Sequence, residues 1–265
     1  MNILGELAES ARKRTDANKV KKPLNEIRKE AVSALEGNEK GAAFPFEEAL
    51  RKEEIAFICE CKKASPSKGM IAEDFPYVRI AKEYEEAGAS CISVLTEPTR
   101  FLGEDRYLSE IASNVRIPCL RKDFTVDPYM IYEASLLGAS AILLIVSLLS
   151  SEELREYLSI CDELGLSALF EAHDEKEIET ALNAGARIVG VNNRNLKDFT
   201  VDIENSLRLR ENVPGEILFV AESGIRTAED IRELSTHGVN AVLIGESLMR
   251  AKDKKAMLSE LRRLL

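Results

Sequence analysis

Short apolar runs alternate along this chain with longer stretches in which apolar residues recur at helical spacing. Eight of these runs are predicted as β-strands, at residues 55–62, 90–95, 117–122, 141–145, 167–171, 188–192, 217–222 and 241–244. A helical pattern follows each of them. Eight strand–helix units are the number found in a (β/α)8 barrel, whose usual length is about 250 residues. The pattern therefore predicts an α/β fold, a TIM barrel.

The first 50 or so residues precede this alternation and contain no strand pattern. They are rich in Lys, Glu and Ala, with apolar residues at helical spacing such as Ile3, Leu7 and Ala11. The segment Phe44-Pro45-Phe46 then leads into a short helix and the first strand. We expect one barrel domain over residues 1–265, with residues 1 to about 50 as an N-terminal helical extension.

Helix boundaries agree with the predicted strands. Glycines that end a helix just before a strand recur about every 50 residues, which is two strand–helix units, at Gly88, Gly138, Gly185 and Gly238. Helix starts carry N-cap patterns in Asp127-Pro128, Ser150 with Glu153, Asp174 with Glu177, and Thr227 with Asp230. A doubly wound open sheet is the structural alternative, although no G-x-G-x-x-G follows the first strand.

Composition limits the class of protein. The chain has 45% hydrophobic residues and a net charge of -10, from 36 Lys plus Arg and 46 Asp plus Glu. This sign argues against nucleic acid or an anionic membrane as the main partner, but a local positive pocket could still bind a small anion. Residues 1–10 lack a secretory pattern, and the longest apolar stretch, 139–149, is too short for a membrane span. We therefore expect a cytoplasmic protein.

Five cysteines, an odd number without a C-x-x-C pair, are expected to be small core residues. Cys59 and Cys61 have no further ligands near them in the sequence, so we expect no metal site there.

The first strand ends in charge, at Glu60 and Lys62. Side chains on a strand alternate, so these two residues point to the same face and Cys59 and Cys61 to the other. A structural ion pair is one interpretation of this arrangement. The alternative is a functional carboxylate and ammonium at the mouth of the barrel.

Polar and ionisable residues also end the other strands. They are Ser93, Lys122, Glu171, Asn192 with Arg194 nearby, and Glu222. Each alone could form a salt bridge at the rim. Barrel enzymes, however, build their active sites from the C-terminal ends of several strands. Together these residues predict a cavity suited to acid and base chemistry on a polar substrate.

A phosphate site is predicted after the last two strands. Strand seven ends in Glu222-Ser223-Gly224 and strand eight in Gly245-Glu246-Ser247, just before a short helix. Glycines there would let backbone N–H groups converge on an anion, although they could also be ordinary turn residues. Lys68 is placed on a loop from which it could reach the substrate. Neither His173 nor His237 is assigned a catalytic role.

Several segments resemble the indole-3-glycerol phosphate synthase family. They are ECKKASPSKG at 60–69, SVLTEP at 93–98, LRKDF at 120–124, FEAHD at 170–174, VNNRNL at 191–196, AESGI at 221–225 and IGESLM at 244–249. An N-terminal helical extension is also typical of the family. The departures are small: Phe170 and Ala172 stand where valines are common, and Asn195 where an Asp is frequent.

The resemblance implies closure of an indole ring on 1-(2-carboxyphenylamino)-1-deoxyribulose 5-phosphate, with loss of carbon dioxide and water. It implies that Lys122 acts as general acid at the ketone, with Glu171 as its partner. Glu60 would orient and tune the lysines, while Lys62 and Arg194 hold the departing carboxylate.

The resemblance also implies the substrate-binding residues. Asn192 and Glu222 would bind the sugar hydroxyls, and Phe124 would pack on the anthranilate ring. Further contacts would come from Ser65 and Ser93, and the phosphate would be held by Ser223, Gly224, Gly245, Glu246 and Ser247. No metal or organic cofactor is implied. A monomer is expected, with other enzymes of the tryptophan pathway as candidate partners.

Two other functions stay open at this point. A Schiff-base aldolase on the same scaffold would use Lys122 or Lys62 as nucleophile. A barrel that binds a phosphorylated ligand without turning it over is the second. The surplus of ionisable groups beyond what binding requires argues against the latter.

Overall fold

A computed structural model describes residues 3–35, 44–195 and 199–265. Parts of the predicted extension, 1–2 and 36–43, lie outside these described residues, as does Leu196 of the VNNRNL segment. Eight parallel strands form a closed barrel in which each strand pairs with its neighbours in sequence, and the last pairs with the first. The barrel prediction is confirmed, and the open-sheet alternative is wrong.

The barrel strands begin and end within two residues of the predicted bounds. They are β1 (Ala56–Cys61), β2 (Cys91–Leu95), β3 (Cys119–Lys122), β4 (Ala141–Ile145), β5 (Ser167–Ala172), β6 (Ile188–Asn192), β7 (Leu218–Glu222) and β8 (Ala241–Ile244). A small antiparallel hairpin, Ala64–Ser65 with Gly69–Met70, follows β1 and was not predicted.

Helices surround the strands and precede them. They are α1 (Ile3–Lys21), α2 (Leu24–Leu35), α3 (Pro45–Leu50), α4 (Tyr77–Glu86), α5 (Asp105–Ala112), α6 (Pro128–Leu136), α7 (Ser151–Leu164), α8 (Glu175–Ala184), α9 (Glu204–Arg210), α10 (Ala228–Thr236), α11 (Glu246–Arg250) and α12 (Lys254–Leu261). A single 3-10 turn, Val146–Leu148, links β4 to α7. The extension α1–α2 packs against α6 and α7. None of the helices in the described ranges is both long and apolar enough to cross a membrane.

The predicted helix ends are confirmed. Gly88, Gly138, Gly185 and Gly238 all have positive φ, between 75° and 97°, a conformation that costs glycine little. The N-cap side chains of Asp127, Ser150, Asp174 and Thr227 each accept a hydrogen bond from a backbone N–H in the first helical turn. These local contacts explain why the sequence pattern located the helices well.

Two apolar clusters hold the barrel together. One fills its interior with alternate strand residues such as Ile58, Leu120 and Leu169, and the other lies between the strands and the helices. All five cysteines are buried and free, as expected of core residues.

Candidate active site

A cavity of about 400 Å³ opens at the C-terminal ends of the strands. Nearly all of the predicted site residues line it: Glu60, Lys62, Ser65, Lys122, Phe124, Glu171, Asn192, Arg194, Glu222, Ser223, Gly224, Gly245, Glu246 and Ser247. Ser93 is different. It is fully buried behind the cavity wall, where its hydroxyl donates to Glu60 Oε2 over 3.4 Å.

Four ionisable side chains come from alternate strands of the barrel. Glu60 belongs to β1, Lys122 to β3, Glu171 to β5 and Glu222 to β7. In a barrel of this type, inward-facing residues of alternate strands share one layer. The register therefore brings these side chains, which are up to 162 positions apart in the sequence, to one level of the cavity.

Lys122 lies between two carboxylates. Its Nζ is 2.9 Å from Glu171 Oε2 and 2.5 Å from Glu222 Oε2, and all three side chains are at most 12% exposed. Burial alone would lower the pKa of Lys122, but the charges of Glu171 and Glu222 outweigh burial and raise it. The lysine therefore holds its proton at neutral pH.

The two carboxylates that contact Lys122 differ in their pKa values. Burial alone would raise the pKa of Glu171, yet Lys122 and then His173 bring it below the ordinary value. Burial raises the pKa of Glu222 to about 7, because the charge of Lys122 does not fully offset it and Glu171 adds repulsion. Hence one carboxylate is ionised while the other can carry a proton near neutral pH.

A second pair stands beside the first. Lys62 Nζ is 2.6 Å from Glu60 Oε1. Gly245, the residue after β8, leaves the space they occupy, since a Cβ on it would lie 2.3 Å from Glu60 Oε1 and 2.9 Å from Lys62 Nζ. Gly190 likewise leaves space for the carboxylate of Glu222 beside Lys122, because a Cβ on Gly190 would lie 2.5 Å from Glu222 Oε1. The sequence signal for Gly190 was a glycine inside a strand, which often marks a close approach.

The opposite wall of the cavity is apolar. Phe124 is joined there by Phe101, with ring centroids 6.3 Å apart and planes tilted by 42°, and by Phe199. Ile3 and Leu4 of α1 complete this wall. Sequence reasoning missed Phe101 and Phe199, which lie in loops whose path only the fold determines.

Backbone turns follow β7 and β8 at the polar end of the cavity. Ser223 and Gly224 both have positive φ, 66° and 87°, and Asn193 Nδ2 donates to Ser223 O over 3.1 Å. A non-glycine residue in this conformation is uncommon and is often functional. Arg226 and Arg250 line the same end and were also missed.

Glu246 shares this end of the cavity with cations. Its carboxylate pairs with Arg250 over 3.2 Å and with Lys68 over 3.6 Å. Lys68, from whose loop the substrate could be reached, lies beside Glu246 and is not among the residues that line the cavity. In the part of the chain that the structure describes, no group of three or more His, Cys, Asp or Glu side chains could hold a metal ion.

Comparison with known proteins supports one family. A family model described as indole-3-glycerol phosphate synthase matches residues 4–261. A relative of that name from Ruminiclostridium cellulolyticum is 56% identical over 260 residues, covering 98% of both chains. Another from Lachnoclostridium phytofermentans is 54% identical over 270 residues, covering 99% of this chain and 100% of the relative.

Solved structures with low identity share the fold alone. The KGPDC structure from Streptococcus mutans matches with a TM-score of 0.62 at 10% identity, covering 79% of this chain and 96% of that one. Thiamine phosphate pyrophosphorylase from Pyrococcus furiosus matches with a TM-score of 0.59 at 20% identity, covering 81% and 96%.

Proposed function

Because the chain belongs to the indole-3-glycerol phosphate synthase family, we propose that its cavity closes the indole ring of tryptophan biosynthesis. The enzyme is a carboxy-lyase that acts on a small phosphorylated substrate. 1-(2-Carboxyphenylamino)-1-deoxyribulose 5-phosphate loses carbon dioxide and water to give indole-3-glycerol phosphate. The observation that carries this proposal is the Lys122 ammonium held between Glu171 and Glu222, beside the Lys62–Glu60 pair.

Ring closure begins when the ring carbon that bears the carboxylate attacks the ketone. Negative charge then develops on the ketone oxygen, and a fixed ammonium stabilises it and protonates it. We assign this step to Lys122. Its raised pKa suits a proton donor that is charged in the resting enzyme. Loss of carbon dioxide returns the electron pair to the ring. We assign the binding of the carboxylate, before it leaves, to Lys62 and Arg194, which both line the cavity.

Dehydration completes the indole ring. A base removes a proton from the methylene carbon beside the ring nitrogen, and the hydroxyl leaves as water after it is protonated. We assign the base to Glu171, which is ionised and 2.9 Å from Lys122. Glu60 binds Lys62 and orients it. Asn192 and Glu222 would bind sugar hydroxyls, and Glu222 Oε1 is a buried oxygen without a hydrogen-bond partner of its own.

The substrate fits the polarity of the cavity. Phe124 and Phe101 offer an aromatic wall for the anthranilate ring, and Ser65 borders the same space. The phosphate is assigned to the turns after β7 and β8, through Ser223, Gly224, Gly245, Glu246 and Ser247. The Glu246 carboxylate would repel a phosphate, so its contribution is the backbone N–H. Ser93 would act through Glu60, to which it donates, and not by direct contact.

A Schiff-base mechanism would require a neutral lysine as nucleophile. Lys122 is instead held as an ammonium by Glu171 and Glu222, which argues against that role.

We also propose that the protein works as a cytoplasmic monomer. The five cysteines are free, as is usual in a reducing compartment. Light scattering on the purified protein tests the monomer.

Ultraviolet or fluorescence detection of indole formation tests the activity directly. Purified protein should convert the carboxyphenylamino sugar phosphate without added metal or cofactor. Inorganic phosphate should compete weakly with the substrate if the turns after β7 and β8 hold the phosphate group. Absence of indole formation from folded protein would refute the proposed function.

A further inference from the structure

Glu171 and Glu222 both contact Lys122, but among the described residues only Glu171 has a second basic side chain within 4 Å. His173 follows Glu171 by two residues, and its Nε2 lies 3.7 Å from Glu171 Oε1. Glu222 Oε1 instead lies over Gly190, buried and without a hydrogen-bond partner. The two carboxylates are therefore chemically unequal because of what lies behind each of them.

The His173 ring is fixed from the side away from the cavity. Its Nδ1 is 3.0 Å from Glu177 Oε2, and the same oxygen accepts the backbone N–H of His173 over 2.9 Å. Asn205 Nδ2 contacts the backbone carbonyl of His173 over 3.5 Å. This leaves Nε2 aimed at Glu171, buried and without a hydrogen-bond partner of its own. A ring held this way presents its Nε2 to Glu171, while its Nδ1 contacts Glu177.

The ring lines a second cavity beside the reaction cavity. Glu171 lines the reaction cavity, whereas His173 lines an adjoining polar cleft of about 490 Å³. Asp174, Glu177 and Asp202 face this cleft with it. Small solutes in the cleft could thus reach the position of the ring without entering the reaction cavity.

Acidic groups face His173 from each neighbouring element. They are Glu171 on β5, Asp174 and Glu177 at the start of α8, Asp202 before α9, and Glu222 on β7. Burial alone would lower the pKa of His173, but the hydrogen bond to Glu177 and the charges of Glu171 and Glu177 raise it. The surroundings thus favour an imidazolium near neutral pH.

We propose that His173, held as an imidazolium by Glu177, is a positioning residue that makes Glu171 the ionised carboxylate on Lys122 and leaves the proton on Glu222. This rests on the proposed function. Dehydration breaks a C–H bond, and its electron pair forms the ring double bond as the C–O bond breaks. The base that takes this proton must start ionised. The leaving oxygen receives a proton from Lys122, which has by then regained from Glu222 the proton that it gave to the ketone oxygen. Glu171 then returns its proton to Lys122, and Glu222 takes from solvent the one proton that the overall reaction consumes. His173 thus makes Glu171, and not Glu222, the carboxylate that removes the proton from carbon.

The pH dependence of kcat/KM tests this assignment. Its acidic limb reports ionisation of the base in the free enzyme. His173→Gln keeps a hydrogen-bond donor but removes the positive charge beside Glu171, which raises the pKa of that carboxylate. The acidic limb should therefore move to higher pH by about one unit, so that kcat/KM at low pH falls about tenfold. KM should change little. Glu177→Gln should move the limb in the same direction by less. An unmoved limb in His173→Gln would overturn the proposal.

The side cleft allows a rescue experiment. His173→Ala removes the ring, and added imidazole should restore the position of the acidic limb in proportion to its protonated fraction. If His173→Ala loses activity, if imidazole does not restore it, and if the acidic limb of kcat/KM stays at its wild-type pH, the ring only supports the loop and the proposal is wrong. The matched control is His237→Gln, on an exposed residue at the other end of the barrel helices, which should leave the profile unchanged.

The chain contains 2 histidines, so nuclear magnetic resonance can observe His173 directly. In the His237→Gln variant the remaining ring should titrate above the ordinary value of 6.5, and Glu177→Gln should lower its midpoint. A midpoint below 6.5 would overturn the proposal even if the enzyme is active. Wild-type protein that forms no indole would instead refute the proposed function, so the two failures are distinguishable.

Discussion

Arg121 and Lys122 are neighbours on β3, yet their side chains leave opposite faces of the strand. Leu120 and Lys122 face the barrel interior, while Cys119 and Arg121 face the surrounding helices. Each cation is buried among carboxylates. One forms part of the candidate active site, and the other holds the structure together.

Each nitrogen of the Arg121 guanidinium has at least one hydrogen-bond partner. Nη2 lies 2.6 Å from Asp105 Oδ1 and 2.7 Å from Glu133 Oε2, Nε donates to Thr96 Oγ1 over 3.2 Å, and Nη1 donates to Met130 O over 3.0 Å. None of these partner residues lines the reaction cavity or the cavity beside His173. A buried cation paired at every nitrogen and away from both cavities is a structural element.

The same cluster anchors the N-terminal extension. Arg14 of α1 pairs with Asp123 over 2.7 Å, and Asn18 donates to Glu133 over 3.1 Å. The extension that carries Ile3 and Leu4 into the reaction cavity is thus attached to the residue next to Lys122.

The Lys122 cluster leaves polar atoms unsatisfied. Glu222 Oε1 and His173 Nε2 are buried without hydrogen-bond partners, and the cavity lies beside them. Unpaired buried polar atoms are costly, so a native protein retains few of them without a reason. Arg14, whose Nη1 is also buried without a partner, lines neither cavity. The comparison teaches that unpaired polar atoms at a cavity wall, and not burial, charge or an unpaired atom alone, separate a reactive cluster from a structural one.

Removing Lys122 should have the largest effect. Lys122→Ala should lower kcat by about 10³-fold with a small change in KM, because the ammonium acts mainly in the transition state. Steady-state kinetics measures this, with circular dichroism to show a folded protein. Lys82→Ala, on the exposed face of α4, is the control and should keep full activity. A normal kcat in Lys122→Ala would remove the lysine from the mechanism.

Removing Arg121 should affect stability instead. Arg121→Ala removes a buried cation from Asp105 and Glu133, whose side chains are 36% and 16% exposed. Breaking a fully buried pair typically costs about 3–5 kcal/mol of unfolding free energy, and solvent screening of these two carboxylates should reduce the loss to about 2–3 kcal/mol. Urea denaturation measures the loss. Arg263→Ala breaks surface pairs with Glu229 and Glu260 and should cost less than about 0.5 kcal/mol. Equal losses in the two variants would mean that the Arg121 cluster is not structural.

Glu222 should make stability fall as pH rises. Its pKa of about 7 lies above the value of 4.5 expected in the unfolded chain, so its contribution is full below pH 4.5 and is lost as pH rises through 7. Between pH 5 and pH 8, the wild type should lose on the order of 1–3 kcal/mol of unfolding free energy relative to Glu222→Gln. Parallel stability curves for the two proteins would contradict a proton on Glu222.

The smallest effect concerns the space around the second pair. Gly245→Ala should displace Glu60 and Lys62 and lower kcat about tenfold, since small misplacements of reacting groups are costly. Gly215→Ala is the matched control, because a Cβ there has no atom within 4 Å. If both variants keep full activity, the position of the Glu60–Lys62 pair does not limit the reaction.

Much of the site could be predicted because the C-terminal ends of all the strands in a barrel lie at the same face. Once eight apolar runs were recognised, Glu60, Lys122, Glu171 and Glu222 were expected at one end, and they line one cavity. The loops could not be placed in this way. Phe199 and Arg250 face the cavity only because of how the chain folds back after β6 and β8.

The sequence by itself determined the order of the elements and the ionisable residues that end the strands. Periodicity, helix caps and strand-end charges are local signals, so they can be recognised without knowing which segments meet. Tertiary structure alone decided that Lys122 binds two carboxylates, that His173 stands behind one of them, and that Arg121 is a structural residue. Those outcomes depend on distances between residues far apart in the chain, and hydrogen bonding and burial at such distances set the protonation state of each group.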